Sequence, residues 1–218
     1  MRTLLGIDEA GRGCVLGPLV YGAALIGEDD QAGLRTLGAR DSKKIKARER
    51  ARVRAAMETA CVGWAVVRLE PAVLDGESLN ELGSRVIVDL AVEHRPDVLV
   101  LDAPVPPAGI PRWVASLTER LAARGVDGIE IVAENGADDT YPVCSAASVF
   151  AKTDRDGVLA ELESAAGAPL GSGYPSDPKT RAWLQSVYDE TGDFPPFVRR
   201  KWETVRRIVA AGRQGRLF

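Results

Sequence analysis

The chain has 218 residues, 45% of them hydrophobic, and a formal net charge of -3 at pH 7, which allows one domain with a sizeable core and gives no general argument for a polyanion partner. No stretch approaches the ~20 apolar residues of a membrane span, and residues 1–3 run into the first apolar segment without a signal-peptide pattern. Cys14, Cys61 and Cys144 are widely spaced and form no Cys-x-x-Cys pair, which excludes a disulfide framework or a thiolate zinc site and leaves a reduced, cytoplasmic protein as the expectation.

The first predicted element is a short buried strand with Leu4, Leu5 and Ile7, leaving Asp8 and Glu9 at its end and Gly11-Arg12-Gly13 just beyond. Ionised carboxylates there need a partner or a cation. Successive strand residues face opposite ways, so the backbone is expected to twist or leave the strand near Glu9 for both acids to reach one site. The two glycines let the main chain approach a ligand closely, and Arg12 adds a fork suited to phosphate. Residues 19–26 form a second apolar run after the Gly17-Pro18 turn signal, and residues 28–33 read as a polar loop.

A helix is expected after a cap at Asp41 or Ser42, with Val53, Met57 and Cys61 on one face. Residues 40–54 hold eight Lys or Arg against two acids, and residues 197–218 hold seven against Glu203. Such segregation fits a polyanion-binding face, although charge runs on helices are more often solvated faces. Residues 63–69 read as a strand and 79–94 as a helix with Leu79, Leu82, Val86 and Leu90 on its buried stripe. His94, the only histidine, suits the C-terminal pole of that helix rather than catalysis.

Residues 98–102 repeat the opening pattern, a continuous apolar run ending in Asp102, as expected of a buried strand delivering an acid. A proline-rich loop, a helix over 112–124 and a strand over 129–133 follow. The loop 134–142 carries Asp138 and Asp139 and leads to a helix over 145–165 with Lys152, Asp154 and Asp156. Beyond the turn-forming 171–178, helices over 179–191 and 198–211 complete the chain. Strands alternating with helices indicate an α/β sheet, with an all-helical tail as an appendage.

If the strands ending at Asp8 and Asp102 are neighbours, Asp8, Glu9, Asp102 and Asp138 meet, with Asp139, Asp154 and Asp156 as rivals for the last place. Such a group calls for hard divalent cations, Mg²⁺ or Mn²⁺, since no His or Cys lies nearby in sequence. Two ions ~3.5–4 Å apart serve in-line phosphoryl displacement, the arrangement of two-metal nucleases. Two other readings fail: the third glycine of a dinucleotide fingerprint falls at Leu16, and no P-loop is present. A non-catalytic nucleic-acid binder explains the basic segments but not the acids at the ends of buried strands.

The ordered motifs resemble type 2 ribonuclease H, ribonuclease HII, in its archaeal and eukaryotic form. They are Gly6-Ile7-Asp8-Glu9-Ala10-Gly11-Arg12-Gly13, Asp41-Ser42-Lys43, Leu79-Asn80-Glu81, Leu101-Asp102-Ala103, Ala137-Asp138 with Tyr141-Pro142 and Ser145-Ala146-Ala147-Ser148, Ala151-Lys152, Gly171 to Pro178, and Phe194-Pro195-Pro196 with Val198-Arg199. The resemblance covers almost the whole chain. It implies a ribonuclease H-like mixed β-sheet flanked by helices (1–165) with a helical C-terminal part (166–218) in one structural unit. It also implies a monomeric endonuclease cutting RNA–DNA hybrids and single ribonucleotides in duplex DNA, leaving 3'-hydroxyl and 5'-phosphate ends, in replication and repair.

By the same resemblance Asp8, Glu9, Asp102 and Asp138 are the metal-binding acids. Gly11, Arg12 and Gly13 contact the sugar 2'-hydroxyl, and Tyr174 packs on the adjacent deoxyribose. Recognition of that kind needs no base code. Lys43, Lys46, Asn80, Ser145 and Ser148 are candidate backbone contacts. Two departures stand out: Asn135-Gly136 where a lysine commonly precedes the Ala-Asp pair, putting a phosphate contact in question or passing it to Lys152, and Cys14 where proline is commonest. Gln214-Gly215-Arg216-Leu217-Phe218 is a truncated version of a sliding-clamp peptide.

Overall fold

The computed structural model describes residues 2–38 and 47–215, the side chains of 47, 48, 214 and 215 excepted. The cap expected at Asp41 or Ser42, together with Lys43 and Lys46, lies outside the described residues. The elements in order are β1 (Thr3–Ala10), β2 (Leu19–Gly27), α1 (Gln31–Thr36), α2 (Ala47–Ala60), β3 (Gly63–Leu69), α3 (Pro71–Leu74), α4 (Leu79–His94), β4 (Val98–Asp102), α5 (Ile110–Ala122), β5 (Glu130–Glu134), α6 (Ala137–Thr140), α7 (Pro142–Ala166), α8 (Pro178–Thr191) and α9 (Glu203–Gly215). The sheet is mixed, in the order β3-β2-β1-β4-β5. β1 runs antiparallel to β2 and parallel to β4, which is parallel to β5.

Contacts among the described residues divide the chain into two compact units, one from segments 1–10, 20–67 and 79–154, the other from 11–19, 68–78 and 155–218. In the first, Leu4, Ala24, Ile26, Val98 and Val100 form a core with Met57, Val143, Cys144, Ala146, Ala147 and Phe150. The small residues opening α7 have a steric reason. A Cβ on Gly6 would lie 2.5 Å from the Val143 carbonyl carbon, and one on Gly22 would lie 2.1 Å from the Ala147 oxygen. Neither position has room for a methyl group, so helix backbone rests almost directly on strand backbone. On the α4 side, Trp113 Nε1 donates to Ser84 Oγ at 3.1 Å, and Arg120 and Arg124 pair with Glu81 and Asp89.

The second unit has its own core of Val15, Leu16, Leu170, Trp183, Leu184, Tyr188, Phe194, Val198, Val205 and Ile208. Asp177 caps α8 by accepting from the Lys179 N–H, and Pro178 takes the first helical position, the expected place for a residue without an N–H.

Several boundaries differ from the sequence reading. The polar loop expected at 28–33 contains the start of α1, whose Leu34 is buried, and the stretch between β3 and α4 holds the short α3. α7 begins at Pro142 rather than 145, again with proline at a helix start. The last helix begins at Glu203, not 198. Val198 instead forms an isolated antiparallel bridge with Leu16, because long-range pairing outweighs a local pattern that reads as an amphipathic helix.

Candidate active site

In the first unit, the parallel register pairs Leu4 with Val98 and Ile7 with Leu101. The next residue on each strand is an acid, so Asp8 and Asp102 stand side by side where the pairing of β1 with β4 stops. Asp8 lies on the face that Gly6 and Gly22 open to α7, and α7 brings Ser148 and Lys152 to it. Asp8 is buried, its Oδ1 accepts the Glu9 N–H at 2.7 Å, and the Ser148 hydroxyl donates to it. Burial, aided by the charge of Asp102, pushes the Asp8 carboxyl up to about 7 despite those hydrogen bonds and the nearby Lys152 ammonium. Asp102 Oδ1 accepts the Gly136 N–H at 2.7 Å.

Asp138 is buried in α6, and its Oδ2 stands 3.7 Å from Lys152 Nζ. Cys144, also buried, joins the three acids electrostatically: burial first, then Asp8, Asp102 and Asp138, raise its thiol well above the usual range. Its Sγ–H donates to the Ile7 carbonyl at 3.4 Å. No sequence signal marked Cys144 as a neighbour of the acids. Of the rivals to Asp138, Asp139 is exposed and Asp156 pairs with Arg155 at 3.3 Å.

β1 stays paired with β2 through Ala10, so the chain does not leave the strand at Glu9, whose partner on β2 is Tyr21. Ser145 and Ser148 are fully buried, and the Ser148 hydroxyl is engaged with Asp8. Asn80 is exposed in the first turn of α4.

Among the described residues no group of three or more His, Cys, Asp or Glu forms a metal cage. The acids fit a different kind of site. Mg²⁺ keeps several waters and is commonly held by one or two carboxylates together with substrate phosphate oxygens. A buried carboxyl pushed up to about 7 beside a second acid is short of positive charge, and a hard cation with oxygen ligands supplies it.

The second unit holds the glycine loop. Gly11 has φ 84°, its carbonyl accepts the Cys14 N–H at 3.1 Å, and the Val15 N–H donates to Gly173 at 2.8 Å. Tyr174 is 39% exposed, enough to offer a ring face, and a Cβ on Gly13 would lie 3.7 Å from its Cε1. The Arg155 guanidinium carbon is 5.3 Å from that ring, and its Nη2 donates to Cys14 Sγ at 3.1 Å and to the Ser172 carbonyl. Burial and Cys14 push the Tyr174 hydroxyl up.

Counting charges misread Arg199. Rather than joining a basic surface, it is wholly buried, and its Nε and Nη1 donate to the Gly17 and Arg12 carbonyls at 2.9 and 3.1 Å. Other members of the basic segments are partly neutralised: Arg54 pairs with Glu58, Arg200 with Asp193 and Arg207 with Glu203. No helix among the described residues is long and apolar enough to cross a membrane.

Comparison with known proteins finds relatives over almost the whole chain. The ribonuclease HII of Hyperthermus butylicus is 40% identical over 216 residues, covering 95% of this chain and 85% of the relative. The crystal structure of ribonuclease H2 from Pyrococcus horikoshii OT3 superimposes with a TM-score of 0.88 at 37% identity, covering 97% of this chain and 99% of that one. The enzyme in the PCNA:RNase HII complex from Archaeoglobus fulgidus gives 0.82 at 34% identity, with 94% and 96% covered. With the family model "Ribonuclease HII" matching residues 5–205, the chain belongs to the ribonuclease HII family of metal-dependent nucleases.

Proposed function

We propose that this ribonuclease H cuts RNA–DNA hybrids and single ribonucleotides embedded in duplex DNA, using two divalent cations, Mg²⁺ or Mn²⁺, held by Asp8, Glu9, Asp102 and Asp138. The observation that carries the reading is the buried Asp8, just past the last β1 residue paired with β4, beside Asp102 at the end of β4, with its carboxyl pushed up to about 7. When bound, the cations neutralise phosphate charge and lower the pKa of an attacking water. Ser148 and the Glu9 N–H hold the Asp8 carboxylate in one orientation. Lys152 Nζ stands 3.7 Å from Asp138 Oδ2 and pairs with it. In-line attack by water on the phosphorus, with the 3'-oxygen of the upstream sugar leaving, gives 3'-hydroxyl and 5'-phosphate ends. The enzyme works as a cytoplasmic monomer in replication and ribonucleotide repair.

Gly11, Arg12 and Gly13 read the 2'-hydroxyl, and Tyr174 packs on the next deoxyribose. Support comes from the loop's pinning to Gly173 and from the half-exposed ring against Gly13. An end-labelled DNA duplex containing one ribonucleotide, compared with a long hybrid, tests both parts. Wild type is expected to cut on the 5' side of the ribonucleotide only with metal present. Tyr174→Ala is expected to lower kcat/KM about 10-fold more on the single ribonucleotide than on the hybrid. Binding without cutting in any metal would leave a non-catalytic binder as the better reading. Equal loss on both substrates would make Tyr174 merely structural.

The PCNA:RNase HII complex of the A. fulgidus relative supports a sliding-clamp contact through residues 214–218, whose side chains lie outside the described ones. Deleting those five residues is expected to abolish clamp pull-down without changing cleavage; undiminished capture would remove the idea.

A further inference from the structure

The segments that carry Asp102 and Asp138 are joined by a residue to which neither the family resemblance nor the charge pattern gave a role. After β4 the chain continues Ala103-Pro104-Val105-Pro106-Pro107. Three of those five residues have no N–H, so the segment is poor in donors, and the Ala103 carbonyl, with Pro106 and Pro107 three and four residues on, has no helical partner of its own. The missing donor is the side chain of Asn135. Its Nδ2 donates to the Ala103 and Val105 carbonyls, each at 2.8 Å, which commits both protons of the amide.

The neighbours of Asn135 complete the fastening. The Ala103 N–H donates to the Glu134 carbonyl at 2.9 Å, and the Gly136 N–H donates to Asp102 Oδ1 at 2.7 Å. Gly136 takes the left-handed conformation, φ 77° and ψ 30°, and caps α6, the short helix carrying Asp138. The chain therefore turns from a hydrogen bond on one acid directly into the helix bearing the other. Asn135 sits at the start of that turn and ties it to the proline segment following Asp102.

We propose that Asn135 is a positioning residue for metal binding, fixing the Asp102 carboxylate and the Asp138 helix in one relative geometry. The inference rests on the assignment of those two acids to the metal site. On this account, Asn135-Gly136 is not simply a missing phosphate contact: the asparagine acts on the acids through the main chain, while the glycine supplies the αL turn and the N–H that reaches Asp102. Two neutral hydrogen bonds contribute on the scale of a tenfold equilibrium change. Apparent metal affinity falls by the fraction of molecules in which the acids remain correctly arranged.

The test uses the full chain with Asn135→Ala and Asn135→Leu, the second close to asparagine in size but without donors. Two metal readouts are taken: the Mn²⁺ concentration giving half the metal-induced rise in thermal midpoint without nucleic acid, and the Mg²⁺ concentration giving half-maximal cleavage. KM for the hybrid is measured at saturating metal, and amide exchange is followed at Gly136. Both variants are expected to need about 5- to 10-fold more metal, to keep KM within about twofold of wild type, and to exchange the Gly136 amide faster.

Asp102→Asn separates the inference from the reading beneath it. If Asp102→Asn keeps the full metal response, the metal-site assignment itself fails. If Asp102→Asn loses the response while the Asn135 variants keep wild-type half-saturation, only the role of Asn135 is overturned. A raised KM with unchanged metal dependence overturns it as well, in favour of a direct contact with the nucleic acid.

Discussion

Asp8→Asn is expected to abolish cleavage, lowering kcat/KM by ~1,000-fold or more, and at the same time to make the metal-free protein more stable at pH 8. Both effects come from the buried carboxyl. Asparagine retains an oxygen to accept the Glu9 N–H, so local geometry survives, but it has no charge to offer a cation. The sign of the stability effect follows from linkage. The folded-state pKa of Asp8 is raised from 3.8 to about 7, so between those values the folded protein binds more protons than the unfolded one. Stability of the chelated wild type therefore falls as pH rises through that window, by at most ~1.4 kcal/mol per pH unit, and at pH 8 the accumulated cost is on the order of 4 kcal/mol. Urea titrations in chelator at pH 5 and pH 8 check this: wild type is expected to weaken relative to Asp8→Asn at the higher pH. A constant difference between the two proteins would show that Asp8 is not held in a charge-excluding environment. Wild-type turnover by the variant would remove Asp8 from the metal site.

Arg199→Ala is expected to be the most damaging single change in the second unit. The guanidinium donates to the Gly17 and Arg12 carbonyls and lies 4.9 Å from the Trp202 ring centre. Truncation leaves both carbonyls without their donor and opens a cavity where a large buried side chain stood. Hydrogen bonds from a charged donor contribute about 1.5–3 kcal/mol each, and a cavity of this kind adds a few more. Relief works the other way, since burial pushes the Arg199 guanidinium down to about 10 and removing it ends the cost of burying a cation, about 3 kcal/mol. The net loss expected is about 3 kcal/mol, or roughly 6–12 °C in Tm for a chain of this length. Arg199→Lys keeps the charge without the two-pronged geometry and is expected to restore less than half of the loss. Denaturant midpoints of the two variants check the balance; an alanine variant within 1 kcal/mol of wild type would show that the Arg12 loop holds its shape without the guanidinium.

Arg199 also marks where reading from sequence stops. The alternation of basic and apolar residues from Val198 onward has the appearance of an amphipathic helix, and its charge counts toward a surface patch, because composition carries no information about a carbonyl 182 positions away. Asp8 and Asp102 were legible for the opposite reason. Each closes a continuous apolar run, and such runs become neighbouring buried strands with little choice of register. β3 and α4 match their expected limits at Gly63–Leu69 and Leu79–His94 because the apolar pattern of each agrees with its structural period. Gly6 and Gly22 gave no such signal: a glycine required for lack of space looks the same in sequence as one required for a turn. Asn135 was visible only as a departure from a pattern, and its use appears once the donor-poor proline segment is seen beside it.

The burial of two of the three thiols has a consequence for measuring motion. Cys144 beneath the acids and Cys14 in the glycine loop are both closed to solvent, whereas Cys61 is partly open. A thiol-specific label can reach a closed cysteine only during transient opening, so its labelling rate relative to a free thiol gives the free energy of that opening. Cys144 reports the parting of α7 from β1, and Cys14 reports the loosening of the loop held by Arg199. The chain thus carries natural clocks in both of its compact units, readable by mass spectrometry without introducing a probe.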